Sequence, residues 1–289
     1  MVQHKGKFGY MFDMFNYSFL AFLAFITLYP FWDSFIVSII PMKEYLSSNI
    51  HLFPKTVTFE AYSYLLSMKE LWSSYMVTFI ITAGGTLINM LLTITAAYAL
   101  SVQELKGRRI IMFFILITMM FSGGVIPSYI IVKNLGLMNS LWALMIPSAI
   151  NTYNLIVLRS FFQSLPPELE SSAKIDGCNE IGVLFRIVIP LSLPGIATIT
   201  LFYAVAHWNE FFNAVFYISD KNLYPLQLFL RGMLFENEST YSGGGDSPFL
   251  LGPAIKMATL MVATVPIMLV YPFFQKYFAK GALLGAVKE

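Results

Sequence analysis

The sequence predicts an all-α, polytopic membrane protein with six transmembrane helices and one short helix on the cytoplasmic side. Three observations predict it. Of 289 residues, 57% are hydrophobic and only 12% charged, with a mean hydropathy of +0.68; an ordinary soluble domain carries about 25% charged residues. Six stretches without Asp, Glu, Lys or Arg reach 19 residues: 14–32, 71–103, 110–132, 134–158, 187–209 and 257–275. A helix crosses the hydrocarbon core with about 20 apolar residues. These runs are continuously apolar rather than alternating over ~10-residue strands, which favours helices over a barrel.

The same composition excludes several classes. A net charge of +2 offers no electrostatic footprint for nucleic acid. Cys178 is the single cysteine, so no disulfide framework or cysteine-based zinc site is possible within the chain. His4, His51 and His207 lie far apart and form no His-Glu-x-x-His pattern.

The first predicted span, ~14–36, follows Lys5 and Lys7 and ends in Tyr29-Pro30-Phe31-Trp32 without a small-x-small cleavage site. It reads as an uncleaved span rather than a signal peptide. The others are ~71–101, ~110–132, ~138–162, ~187–217 and ~251–276, all within one membrane domain over 1–289. Pro30, Pro127, Pro147, Pro190, Pro194, Pro266 and Pro272 fall inside or beside them. Membrane helices tolerate such prolines as ends or kinks. Lys106, Arg108, Arg109, Arg159, Lys174 and Arg186 cluster in the even-numbered connections, with Lys276 and Lys280 after the last span. The positive-inside rule then places both termini in the cytoplasm, in the cell membrane. Segments ~38–70 and ~219–250 face out, and ~101–109 and ~163–185 face in. Gly243-Gly244-Gly245 reads as a loop tip, since no Lys-Ser/Thr follows it.

The inner segment between the fourth and fifth spans carries its own helix signals. Ser164 offers a cap, Pro166 and Pro167 suit the first helical positions, and Glu168 and Glu170 fall in the first turn, where the dipole favours anions. Gly177 fits a left-handed stop, and Asn179 caps a second helix over 181–189. Leu165, Leu169 and Ala173, with Ile175 at the far end, give an apolar stripe. Such a helix lies in the lipid interface or docks in a protein groove. One cation, Lys174, stands against Glu168, Glu170 and Asp176, which favours the groove.

Glu170-Ser171-Ser172-Ala173-Lys174-Ile175-Asp176-Gly177, followed after nine residues by Ile187-Val188-Ile189-Pro190, resembles the EAA signature of binding-protein-dependent ABC importer permeases. Aligned on Gly177, the signature's Glu falls on Ser171 and its first Ala on Ser172, with Glu170 one position early; Ile189 stands where the signature has Leu. Leu52-Phe53-Pro54-Lys55 through Tyr62, Ala97-Tyr98-Ala99-Leu100, Trp208-Asn209-Glu210-Phe211 and the tail Gly281–Lys288 are similar to maltose-type sugar permeases. Within that group the chain most resembles the smaller permease of Gram-positive systems for complex oligosaccharides.

The resemblance implies a type I importer permease whose short helix, ~166–177, is a coupling helix seated in an ATPase cleft. Glu168, Glu170, Ser171, Ser172, Ala173, Asp176 and Gly177 would then face or shape that contact. It also implies two ATPase subunits, a second permease chain and an extracytoplasmic solute-binding protein, for which the outer segment ~219–250 is a docking candidate. The chain has no Gly-x4-Gly-Lys-Ser/Thr loop, so ATP is expected on the partners and no cofactor or metal on this chain.

Sugars present CH faces to aromatic rings and OH edges to amides and carboxylates. Trp208, Asn209, Glu210 and Asn213 in the fifth span offer that mixture, with Asn151, Tyr153 and Asn154 in the fourth. The competing reading is interhelical hydrogen bonding and an interfacial aromatic belt, and His207 reads as a structural hydrogen-bonder. Few cations occur in the spans, which favours neutral cargo. An ATP-independent secondary transporter would show ionisable groups in several spans, whereas Glu210 is the acid inside a long apolar run. An importer permease for a non-sugar solute is not separable by composition. No catalytic constellation supports an embedded enzyme.

Overall fold

The computed structural model describes residues 7–47, 51–235 and 252–286. Every regular element among them is helical. The segment 236–251, which includes the glycine run and the second half of the expected docking segment ~219–250, lies outside the described residues, as do Lys5 and the last residues of the tail.

Two compact units emerge, one from Met1–Met68 with Leu230–Val265 and the other from Lys69–Phe229 with Pro266–Glu289. In the first unit, α1 (Lys7–Ser38) runs through Pro30 without interruption. Only 11% of its most apolar window is buried, so this helix presents apolar side chains nearly all round, as a lipid- or partner-facing span does. Its last turn is different: Ile36, Val37 and Ile40 are buried against Tyr45 and Met257. The segment that follows is tied down by polar contacts. After the short turn α2 (Met42–Tyr45), the Glu44 carboxylate accepts from the Lys55 and Thr56 amides (2.7 and 2.9 Å) and from the Thr56 hydroxyl (2.6 Å). These donors hold the Glu44 carboxyl below the usual carboxylate range, the Lys55 amide first among them. Helix α3 (Glu60–Ser67) is joined to α1 by the Ser38–Tyr62 hydroxyl pair (2.8 Å).

The spine of the second unit is α4 (Lys69–Ser101). Leu71, Ser74, Thr78, Ile81, Gly85, Asn89, Thr93, Ala97 and Leu100 are buried along it at three- and four-residue steps, one stripe of a 3.6-residue helix. That stripe packs on α8 (Thr152–Gln163) and α12 (Leu193–Trp208). One core cluster gathers Ala97, Tyr98, Leu155, Leu158, Phe162, Val183, Val188, Ile199 and Tyr203. A second gathers Ile81, Val132, Leu144, Ala214 and Tyr217.

The structure resolves three of the predicted runs into shorter helices. Run ~110–132 becomes α5 (Arg108–Met120) and α6 (Val125–Asn134), bent by 115°. Ser122-Gly123-Gly124 are weak helix formers, and Pro127 has no N–H to give to a preceding carbonyl. Run ~138–162 becomes α7 (Trp142–Met145) and α8, interrupted around Pro147. Run ~187–217 is entered by α10 (Glu180–Val183), a π-helical turn (Leu184–Val188) and α11 (Ile189–Leu191). It bends by 85° at Ser192, between Pro190 and Pro194, into α12, and then breaks at 209–211 before α13 (Phe212–Tyr217). After α14 (Leu226–Phe235), α15 (Gly252–Ala286) carries Pro266 and Pro272 inside it. Among the described residues two helices, Gly9–Ser38 and Lys69–Ser101, are long and apolar enough to cross a membrane, and up to four spans result if each bent pair is one.

Candidate functional site

The breaks in the helices create the polar site. Where α7 gives way to α8, Asn151 adopts an extended backbone, and its Oδ1 accepts the Asn154 amide (3.1 Å) as an N-cap. The Asn151 amide donates to the Tyr203 hydroxyl oxygen (2.9 Å), which shares a hydrogen bond with Thr93 (2.8 Å). One tyrosine thus fastens α4, α8 and α12 at the same level. Where α12 ends, the Asn209 amide side chain folds back on the Val205 carbonyl (2.9 Å). Glu210 then precedes α13, and its carboxylate accepts both the backbone amide (3.2 Å) and the side-chain amide (3.1 Å) of Asn213.

These chain breaks line one cavity of about 760 Å³. Asn151, Tyr153, Asn154, Asn209, Glu210 and Asn213 all face it, so six of the seven sequence-derived pathway residues are brought together. Trp208 is absent from the lining. Its ring stands 6.5 Å from that of Tyr75, and its indole N–H is buried with no hydrogen-bond partner among the described residues. The cavity adds Asn89, Ser148 and Tyr203, which sequence reasoning missed, and His207, which it read as a structural hydrogen-bonder. Asn89 and His207 are almost fully buried. Asn89 donates to the Ser148 carbonyl (3.3 Å), but neither its Oδ1 nor His207 Nε2 has a partner among the described residues. Buried polar atoms seldom stay unpaired, and water or a bound solute normally completes them. The signal for Asn89 was available in the sequence: it falls on the same helical stripe as Gly85 and Thr93. Gly85 is what admits His207, since a Cβ there would lie 2.5 Å from Nε2.

The second feature is the short helix α9 (Pro167–Ile175). It begins after Pro166, with Pro167 in its first turn and Glu168 and Glu170 at the dipole's positive end. Ser164 does not cap it; the Ser164 hydroxyl instead closes α8 on the Phe161 carbonyl (2.7 Å). Gly177, at φ +84°, ends the helix, with its own amide on the Lys174 carbonyl (3.1 Å) and that of Cys178 on Ala173 (2.9 Å). Asn179 caps α10 through the Gly182 amide (2.7 Å). The expected apolar stripe divides. Ala173 is buried in the core of its own chain and Leu165 packs against it, whereas Leu169 and Ile175 are exposed. Glu168, Ser171, Ser172, Asp176 and Gly177 are exposed beside them, and Glu170 is half-buried.

Residues 89–283 match the family described as the binding-protein-dependent transport system inner membrane component. The chain belongs to this family. It is a membrane permease subunit of an ABC transporter, which carries out no covalent chemistry and works with a partner ATPase. The permease is 46% identical over 283 residues to the polygalacturonan/rhamnogalacturonan transport system permease protein YtcP of Bacillus subtilis (strain 168), covering 96% of this chain and 98% of that one. It is 45% identical over 287 residues to the protein LplC of the same organism, covering 99% and 97%. It is also similar to a chain in the crystal structure of a bacterial ABC transporter involved in the import of the acidic polysaccharide alginate, with a TM-score of 0.88, 30% identity, and coverage of 96% and 100%.

Proposed function

We propose that the chain forms half of an alternating-access pathway for an oligosaccharide. The whole of 1–289 acts as one transmembrane permease domain of six spans, both termini cytoplasmic, beside a second permease chain. Helix α9 is the coupling helix, docking in the cleft of one of two ATPase subunits through Glu168, Glu170, Ser171, Ser172 and Asp176. An extracytoplasmic solute-binding protein delivers the cargo. ATP resides on the partners, and this chain needs no cofactor.

The observation that carries the pathway is the cavity and the polar side chains that line it. Asparagine amides, tyrosine hydroxyls and a carboxylate converge there, and none of the lining residues is Lys or Arg. Such a lining recognises hydroxyl edges through hydrogen bonds. The kinship with permeases named for pectic polysaccharides and alginate supports carbohydrate as the cargo class. With no cation of its own, this half grips the hydroxyls of a sugar rather than its acidic groups.

The assembly is tested by purifying the complex in mild detergent and identifying co-eluting chains by mass spectrometry. An ATPase and a second polytopic chain co-elute, and the ATPase is lost when Gly177 or the turn 170–173 is disrupted. A chain that elutes alone, stable and folded, would sink the coupling-helix reading and bring an ATP-independent transporter forward.

A further inference from the structure

The coupling helix is fastened to α4 by one residue outside the EAA-like segment. Glu180 opens α10, three residues past the Gly177 elbow. Its Oε1 accepts the Lys174 ammonium of α9 (2.8 Å), and its Oε2 accepts the Tyr98 hydroxyl of α4 (2.9 Å). Tyr98 is buried, and Ala173 of α9 packs in the same core cluster beside Ala97 and Tyr98. Helix α9 thus shares a core cluster with α4 through Ala173 and is tied to it by a polar bridge through Glu180 of α10.

The end of α4 that receives this bridge is itself clamped. Arg159 of α8 donates to the Leu100 carbonyl (2.8 Å), and Arg108 of α5 to those of Ser101 (3.4 Å) and Val102 (3.2 Å). These are the carbonyls a helix terminus leaves without partners. Near the middle of the stripe, α4 presents Asn89 to the cavity and Gly85 to His207. A displacement of α9 thus has a continuous packed route to the pathway, along a helix whose cytoplasmic end is locked to its neighbours.

We infer that Glu180 is a positioning residue: it makes α9 and α4 move as one body, so that α4 carries the motion of the coupling helix to the cavity. The inference rests on α9 being the coupling helix. The rival route, through the π-helical turn and the Ser192 bend into α12, is the less direct one, because i→i+5 turns and proline-flanked bends mark compliance rather than stiffness.

The test uses the complete importer in nanodiscs, with spin labels at Thr95→Cys of α4 and Ile175→Cys of α9 in a Cys178→Ser background. The interspin distance is expected to be narrow, and unchanged between the ATP-free and ATP–vanadate-trapped states. Glu180→Ala loses the narrow peak, Tyr98→Phe broadens it without removing a core ring, and the swap Lys174→Glu with Glu180→Lys restores it, because a tyrosine hydroxyl also accepts. A peak equally narrow in Glu180→Ala and Tyr98→Phe, or no recovery in the swap, overturns the bridge while leaving α9's docking intact. Failure of Ser171→Cys to crosslink to the ATPase in the otherwise native complex overturns the docking itself.

Discussion

Gly85 and Gly177 are required for opposite reasons. At Gly177 nothing lies within 4 Å of a built Cβ, and the cost of a side chain comes entirely from φ +84°. Gly177→Ala should cost about 1–2 kcal/mol, read as a lower melting temperature of the purified complex together with weaker ATPase retention. Gly85 has an ordinary helical backbone but faces a buried imidazole at 2.5 Å. Gly85→Ala must push α12 from α4, an overpacking cost of about 1–3 kcal/mol. Oligosaccharide uptake should fall while the subunits still co-purify. Glu210 belongs to a third kind. Its carboxylate organises Asn213 and the start of α13 at the cavity wall. Glu210→Gln keeps the shape but gives up a charged acceptor, so uptake should drop more steeply than stability; equal transport by the variant would remove Glu210 from the pathway. Sequence reading found Glu210 because an acid in a long apolar run is conspicuous. It assigned His207 a structural hydrogen bond, because no sequence feature tells that Gly85 leaves room for the ring or that Nε2 finds no partner among the described residues.

Helices were legible where apolar length was unbroken, as in α1 and α4. Charge-free length does not report continuity, however. Runs ~110–132 and ~187–217 contain the residues that bend them, Ser122-Gly123-Gly124 in one and Pro190 with Pro194 in the other, and the angles of 115° and 85° depend on packing that no local pattern encodes. The α9 elbow was legible for the converse reason: its glycine, its dipole charges and the Asn179 cap of the next helix are all local, although Ser164 closes α8 instead of capping α9. The Lys174–Glu180 contact was not, since it spans that elbow and needs Tyr98 from a distant helix. The two side chains are 40% and 60% exposed, so solvent screening keeps the pair's contribution to stability to a fraction of a kcal/mol; its value lies in geometry. The hydrogen bond from Lys174 holds the Glu180 carboxyl below the usual range, with Tyr98 adding to it. The same bond raises the Lys174 ammonium, with Glu170 and Glu104 contributing at longer range. The glutamate's share is complete above about pH 4.3 and is lost as pH falls through its lowered value; the lysine's is complete below about pH 10.4 and is lost as pH rises through its raised value. The small stability gap between the native chain and Glu180→Gln should therefore be flat from about pH 6 to 9 and close at more acidic pH, by thermal melts of the complex. A gap that peaks near neutrality would contradict the pairing.

At the scale of the whole chain, the apolar surface of α1 and the polar lining of the cavity describe a protein whose solvent is lipid and other subunits. Isolated in detergent, the chain should transport nothing; uptake should require the ATPase, the second permease and the binding protein together, and transport by the lone chain in liposomes would refute the importer reading. One dimension of α4 then has a further consequence. Its 33 residues rise about 50 Å, at 1.5 Å each, against a hydrocarbon core of about 30 Å. Such a helix must tilt, or project well past the acyl chains. A thinner bilayer leaves the Tyr98 end standing farther from the hydrocarbon, and a thicker one draws α4 upright. On the proposed docking of α9, the angle at which it meets the ATPase is set in part by the lipids, so acyl-chain length becomes a control on the rate of transport.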